Sequence, residues 1–163
     1  MAPRAASRHL AGLRLSVSYL TAGGSNVLAV VARVENGSGA RTSGQLATST
    51  FIQPGGDRRT ATLYFEQAGR LRQQRRVHGG SWGSSGAWCA VVAPDGPALT
   101  TVHGTPGGRI EPRDMGLEGV HPSAQLSFDL APGETRESVT YLIVADSLDE
   151  ARRYRFLAGA GLV

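Results

Sequence analysis

The chain has 163 residues, enough for one domain with a real core and short for most two-domain enzymes. Its 17 basic residues, all arginine, and 13 acidic ones give a net charge of +4, while 40% hydrophobic against 18% charged residues excludes a disordered polyelectrolyte. A single cysteine, Cys89, excludes an intrachain disulfide framework and a multi-cysteine zinc site, and no run of about 18 apolar residues exists to span a membrane.

The segment Met1–Arg8 is basic, but Arg14, Ser16 and Ser18 follow where a secretory signal needs an apolar stretch, so the expected location is cytoplasmic. Residues 1–12 read as a flexible N-terminal arm of one domain spanning 1–163. From Leu13 the dominant period is two. Leu13, Leu15, Val17 and Tyr19 alternate with Arg14, Ser16 and Ser18, predicting a strand with one face on a core. Asn26 to Glu35 is nearly continuously apolar and predicts a strand buried on both faces. Asn36-Gly37-Ser38-Gly39 breaks it; Asn36-Gly37-Ser38 also fits a glycosylation sequon, most simply read as a turn. A strand over Leu46–Gln53 then stops at Pro54-Gly55-Gly56-Asp57.

Thr60 to Glu66 predicts another strand, and Arg70 to His78 an arginine-rich, solvent-facing partner for it. Arg70, Arg72, Arg75 and Arg76, reinforced by Arg58 and Arg59, could bind a polyanion. The same charges could guard an edge strand, and without interleaved aromatics a nucleic-acid partner is not favoured. Gly79 to Gly86 forms a Gly/Ser loop. Gly79-Gly80-Ser81-Trp82-Gly83 matches the G-x-S-x-G pattern of a nucleophile elbow, but Gly83-Ser84-Ser85-Gly86 cannot start the helix that motif requires. The loop reading of Ser81 follows.

Ala87 to Val92 turns at Pro94-Asp95-Gly96-Pro97 into Ala98–His103, a predicted hairpin. Trp88 and Cys89, inside the apolar run, read as core; Trp82, flanked by glycine, reads as an exposed indole on which a sugar could stack. Gly104 to Pro122 reads as irregular. Ala124–Leu130 alternates again, Pro132-Gly133 turns the chain back, and Val139–Ala145 is a strong last strand. Ser147-Leu148-Asp149-Glu150 fits a capping box opening a short helix, with Gly159 as its stop. The fold class is therefore mainly β, an antiparallel β-sandwich with one short C-terminal helix.

No two of His9, His78, His103 and His121 have the spacing of a local metal clip, and no metal or cofactor is expected. His78 and His103 fall at strand ends, where they could meet Glu111 or Glu118 and run acid/base chemistry on a ring hydroxyl; histidines so placed also serve as structural residues. Trp82, His78, His103, Arg109 and Glu111 are the candidate ligand contacts.

Three segments, Gly116–Pro122, Ala124–Thr135 and Val139–Arg152, together resemble the end of a galactose-mutarotase-like "supersandwich". That domain precedes the helical catalytic barrel in several glycoside hydrolases and phosphorylases. The strand, Asn-Gly-Ser turn and strand of Val31–Pro54 are similar to the opening of such a sheet. The resemblance implies a carbohydrate-active context, with carbohydrate and a catalytic partner domain or chain as expected partners. It implies no catalysis here, because the acid and base of those enzymes largely belong to the barrel. It also implies a shortened domain or a fragment. The competing expectation is a mutarotase or epimerase acting on an aldose, with catalytic residues drawn from His78, His103, Glu111 and Glu118. A third is a polyanion-binding or assembly module built on the arginine-rich strand.

Overall fold

The computed structural model describes residues 4–10, 12–52, 60–75, 80–82, 86–94, 96–114 and 120–161. In chain order the strands are β1 (Arg4–Leu10), β2 (Leu13–Thr21), β3 (Val27–Asn36), β4 (Thr42–Ser49), β5 (Thr62–Gln67) and β6 (Arg70–Arg75). Then come β7 (Gly80–Ser81), β8 (Trp88–Val92), β9 (Ala98–His103), β10 (Arg109–Asp114), β11 (His121–Leu130) and β12 (Thr135–Ala145). Helix α1 (Leu148–Arg153) and a 3-10 turn, Tyr154–Leu157, follow. The strands form an eight-stranded sheet, β1-β2-β3-β12-β9-β8-β5-β6, and a four-stranded sheet, β4-β11-β10-β7; every pairing is antiparallel. No described helix is long and apolar enough to cross a membrane.

The period of two becomes two cores. Alternate residues of the large sheet (Ala32, Val34, Leu63, Phe65, Cys89, Val91) face the small sheet, which returns Leu46, Ile110, Ala124 and Leu130. The opposite face, with Ala29, Val31, Trp88, Val102, Tyr141 and Ile143, is covered by Ala151 and Leu157 of the C-terminal helical segment. Strand β3 lies between β2 and β12 with both faces occupied, which is why its run of apolar residues is unbroken. The Cys89 thiol is buried in the inter-sheet core, and that burial pushes it up to about 12, so it is inert at neutral pH.

Four elements depart from the sequence reading. Arg4–Leu10, within the expected N-terminal arm, pairs with β2 from Arg4↔Tyr19 to Leu10↔Leu13. Strand β4 starts at Thr42 rather than Leu46, because the polar Ser43, Gly44 and Gln45 lie along β11 just as the apolar residues do. Only Ile52, bridged to Val120, continues it; the predicted turn at 54–57 lies outside the described residues.

Within the stretch expected to be irregular, β10 is a regular strand whose alternation Pro112 disguises. Pro112 sits opposite Pro122, and their carbonyls accept from Trp82 and Thr50 on the outer sides. A residue's N–H and C=O leave an extended strand on the same side, so the missing proline donors cost the β10–β11 ladder nothing.

Finally, Pro132-Gly133 does not close a hairpin. Strand β11 ends in the small sheet and β12 begins in the large one, so the chain crosses between layers, with Gly133 at φ +80.

A second crossing, β3 to β4, runs beside it, and Asn36 pins both. Its side-chain amide donates to Ala40 O at 2.8 Å in one crossing and to Leu130 O at 2.9 Å in the other. Its Oδ1 accepts from the Ser38 amide at 3.0 Å and the Ser38 hydroxyl at 2.7 Å. Asn36 is fully buried, so the sequon is a turn whose asparagine is spent internally. Asn36→Ala is expected to cost about 2 kcal/mol, since the buried bond to the Leu130 carbonyl is lost and the Ser38 amide and hydroxyl lose their acceptor. Urea unfolding would measure it, and a change within about 0.5 kcal/mol would show that the crossings are held by other contacts.

The helix begins as its residues predict. Ser147 Oγ accepts from the Glu150 amide at 3.2 Å, while Glu150 reaches back to the Asp146 amide at 2.8 Å, one residue earlier than in the usual box. Gly159, at φ +72, ends the helical segment.

Candidate functional site

The outward face of the small sheet carries a polar network that its inward face cannot. Ile110, Ala124 and Leu126 are buried toward the large sheet, so their neighbours Arg109, Glu111, Ser123 and Gln125 point away from it. Register then brings them together, with Arg109 opposite Gln125 and Glu111 opposite Ser123. Gln125 is the centre. Its Nε2 donates to Glu111 Oε2 at 2.9 Å, and its Oε1 accepts from Arg109 at 3.5 Å and from Gln45 of β4 at 3.3 Å. The amide orientation is set by these charges, since its NH2 must meet the carboxylate and its oxygen the guanidinium.

Glu111 Oε2 also accepts from Arg113 at 2.7 Å; hydrogen bond and charge together raise the Arg113 guanidinium further above its ordinary value. Farther along the face, Asp129 accepts from Ser43 and Arg41, each at 2.7 Å, and the Ser43 hydroxyl followed by Arg41 holds its carboxyl below the usual carboxylate range. At the other end the His121 ring meets Phe51 edge-on, with centroids 4.8 Å apart, and Phe51 is 48% exposed. The His121 Nε2 is buried and makes no hydrogen bond. Planar donors, carboxylate acceptors and a partly exposed aromatic ring on one rigid face form a surface suited to hydroxyl-rich ligands.

Of the residues singled out from sequence, Arg109 and Glu111 lie here. His103 does not. It belongs to the large sheet, is fully buried, and Gly108 packs on its ring so closely that an added Cβ would fall 2.2 Å from Cε1. His103 Nδ1 accepts from the Thr105 amide at 3.2 Å, which leaves the proton on Nε2, 3.4 Å from the Ser138 hydroxyl. Burial lowers its pKa to about 4, so at neutral pH it is a neutral structural imidazole. Glu111, on the far face of the other sheet, does not meet it.

Trp82 is half-buried rather than free. Its amide donates to the Pro112 carbonyl at 3.2 Å, and its indole packs against the inter-sheet core. Ser81 lies in the short β7, not at a strand-to-helix elbow. His78 and Glu118 lie outside the described residues. Arg70, Arg72 and Arg75 occupy β6, an exposed edge of the large sheet, while Arg58, Arg59 and Arg76 lie outside the described residues. Gln125, Gln45, Ser123, Arg113, His121 and Phe51 were not read from sequence as site residues; the alternation around Gln125 marked a solvent face without showing which strands would flank it.

A separate groove of about 400 Å³ opens between the sheets at one end. Half-buried Leu28, Leu99 and Leu142 of the large sheet line it, with Thr50 and Ile52 opposite, and its lining is chiefly apolar.

No protein-family model matches the sequence, and no curated protein aligns with it significantly. Solved structures do match its fold. A candidate aldose 1-epimerase from Escherichia coli K12 superposes with a TM-score of 0.67 at 12% identity, over 88% of this chain and 64% of that one. The Slr1438 protein from Synechocystis sp. PCC 6803 gives 0.66 at 11% identity, over 88% and 61%. A GH36 alpha-galactosidase, AgaA from Geobacillus stearothermophilus, in complex with stachyose, gives 0.60 at 16% identity, over 89% of this chain and 24% of its own. The chain thus spans just over three fifths of the first two. Two antiparallel layers, the crossings between them and these superpositions together establish that the chain has the galactose-mutarotase-like β-sandwich fold.

Proposed function

We propose that this chain is a carbohydrate-binding β-sandwich domain, non-catalytic by itself, that holds a saccharide on the outward face of the four-stranded sheet. The observation that carries the reading is the Gln125-centred network, in which one buried amide holds Glu111 and gathers Arg109 and Gln45 beside it on the same face. A pyranose offers alternating donors and acceptors around a flat ring, and such a preset array meets them without ordering new side chains. Glu111 serves as an acceptor anchored by Arg113 and Gln125 rather than as a mobile base. Carbohydrate-active proteins among the structural neighbours support the ligand class.

Isothermal titration against galactose, glucose, raffinose and their uronic acids tests the reading. Binding is expected with at least one of these sugars, and Glu111→Gln should weaken it about tenfold, or ~1.4 kcal/mol. Silence across the panel, or an affinity indifferent to Glu111, would remove the proposal.

A second reading, an aldose 1-epimerase, draws on the candidate epimerases that superpose on the chain. Polarimetry on freshly dissolved galactose separates the two, because a binding domain leaves the rate at that of buffer.

A further inference from the structure

Resting on that reading, we infer that the saccharide recognised is acidic, a hexuronate whose C6 carboxylate is bound by Arg109. The argument is a matching of charges across one sheet face. Both described carboxylates that hydrogen-bond on this face are already held by arginines: Glu111 by Arg113 and Asp129 by Arg41, each at 2.7 Å. Arg109 has no carboxylate partner among the described residues. Its one hydrogen bond there, 3.5 Å to the neutral Gln125 oxygen, is at the limit of such contacts, and that oxygen is shared with Gln45 at 3.3 Å.

A guanidinium presents five donors in a planar fork matched to a carboxylate, so an exposed one with a single long contact has most of its capacity unspent. Gln45, exposed and on the same face, brings a second donor to the same spot. Glu111 lies two residues along β10, about 7 Å away, a separation a pyranose ring with its substituents can bridge. The ring hydroxyls would then reach Glu111 while the carboxylate meets Arg109 and Gln45.

The experiment compares galacturonate, its methyl ester, galactose and galactose 6-phosphate by isothermal titration on the whole chain at low salt. Galacturonate is expected to bind at least tenfold more tightly than galactose and the ester, with the preference shrinking as salt is raised. In Arg109→Gln the galacturonate-to-galactose ratio should fall to about one, and in Arg109→Lys, which keeps the charge but loses the fork, to an intermediate value; an unchanged thermal midpoint shows that each variant is folded. Equal affinity for galactose and galacturonate would overturn the inference and leave the carbohydrate-binding reading standing; no binding by any of these four sugars would also overturn it, and only silence of glucose, raffinose and glucuronate as well would end the carbohydrate-binding reading. Tighter binding of galactose 6-phosphate would replace the carboxylate by a phosphate and overturn the uronate assignment, as would a preference that persists in Arg109→Gln.

Discussion

Trp88→Ala is expected to destabilise the domain by about 4 kcal/mol. The indole is fully buried, among Ala29, Val31, Val102, Tyr141 and the helical residues Ala151 and Leu157. Its Nε1 donates to the Ala151 carbonyl at 3.3 Å, so a single side chain fastens the C-terminal helix to the large sheet by packing and by a hydrogen bond. Alanine would leave a cavity walled by strands on one side, which cannot collapse, and on the other an Ala151 carbonyl that keeps only the Tyr154 amide as donor. Trp88→Phe keeps most of the volume and should lose only about 1–2 kcal/mol. Urea unfolding followed by far-ultraviolet circular dichroism measures both. A loss under about 1.5 kcal/mol for the alanine variant would mean that the helix is not part of the cooperative core.

The second large effect is acid destabilisation through His103. Its ordinary value of 6.5 is lowered to about 4 in the folded chain because burial disfavours the imidazolium. The unfolded chain therefore takes up a proton as pH falls below about 6.5, while the folded chain resists until about 4. Between those limits the unfolded state binds more protons, so stability falls as pH is lowered and levels off beneath them. Spread over that interval, the loss is about 3 kcal/mol. Thr105, Ser138 and Gly108 are the groups on the ring, and none carries a charge that could offset protonation.

Asp129 acts in a lower window. Its carboxyl is depressed by Ser43 and Arg41, so its contribution is present above the usual carboxylate range and disappears as pH falls through its folded value. Unfolding curves at pH 7 and pH 4 for the wild type and His103→Gln would separate the two. Equal stability of the wild type at both pH values would contradict the burial of a neutral imidazole.

Much of the local structure was written in short patterns. Alternation around Leu15 and Leu126, the apolar run ending at Val34 and the Ser147-to-Glu150 cap each depend on residues within a few positions, where steric and hydrogen-bond preferences act directly. Trp88 and Cys89 read correctly as core for the same reason, since a run of apolar residues has to be buried. Strand β10 was missed because Pro112 looks like an interruption unless its partner, Pro122, is known. The Pro132-Gly133 turn was misread because a reversal between neighbouring strands and a step between sheets begin with the same residues. Trp82 was misjudged because glycine neighbours describe the backbone's freedom, not what the indole packs against.

From its residues alone, then, this chain determined a strand-rich sandwich, its buried aromatic and thiol, its capped terminal helix and a resemblance to the galactose-mutarotase-like fold. Only the tertiary structure decided that His103 is sealed inside the large sheet while Arg109, Glu111 and Gln125 share an outward face of the small one. The physical reason is that a period of two assigns each side chain to one of two faces of its own strand. Which sheet that strand joins, and which strangers flank it, depends on pairings between residues as distant as Gln45 and Gln125, whose free energy is gained only when the whole chain has closed.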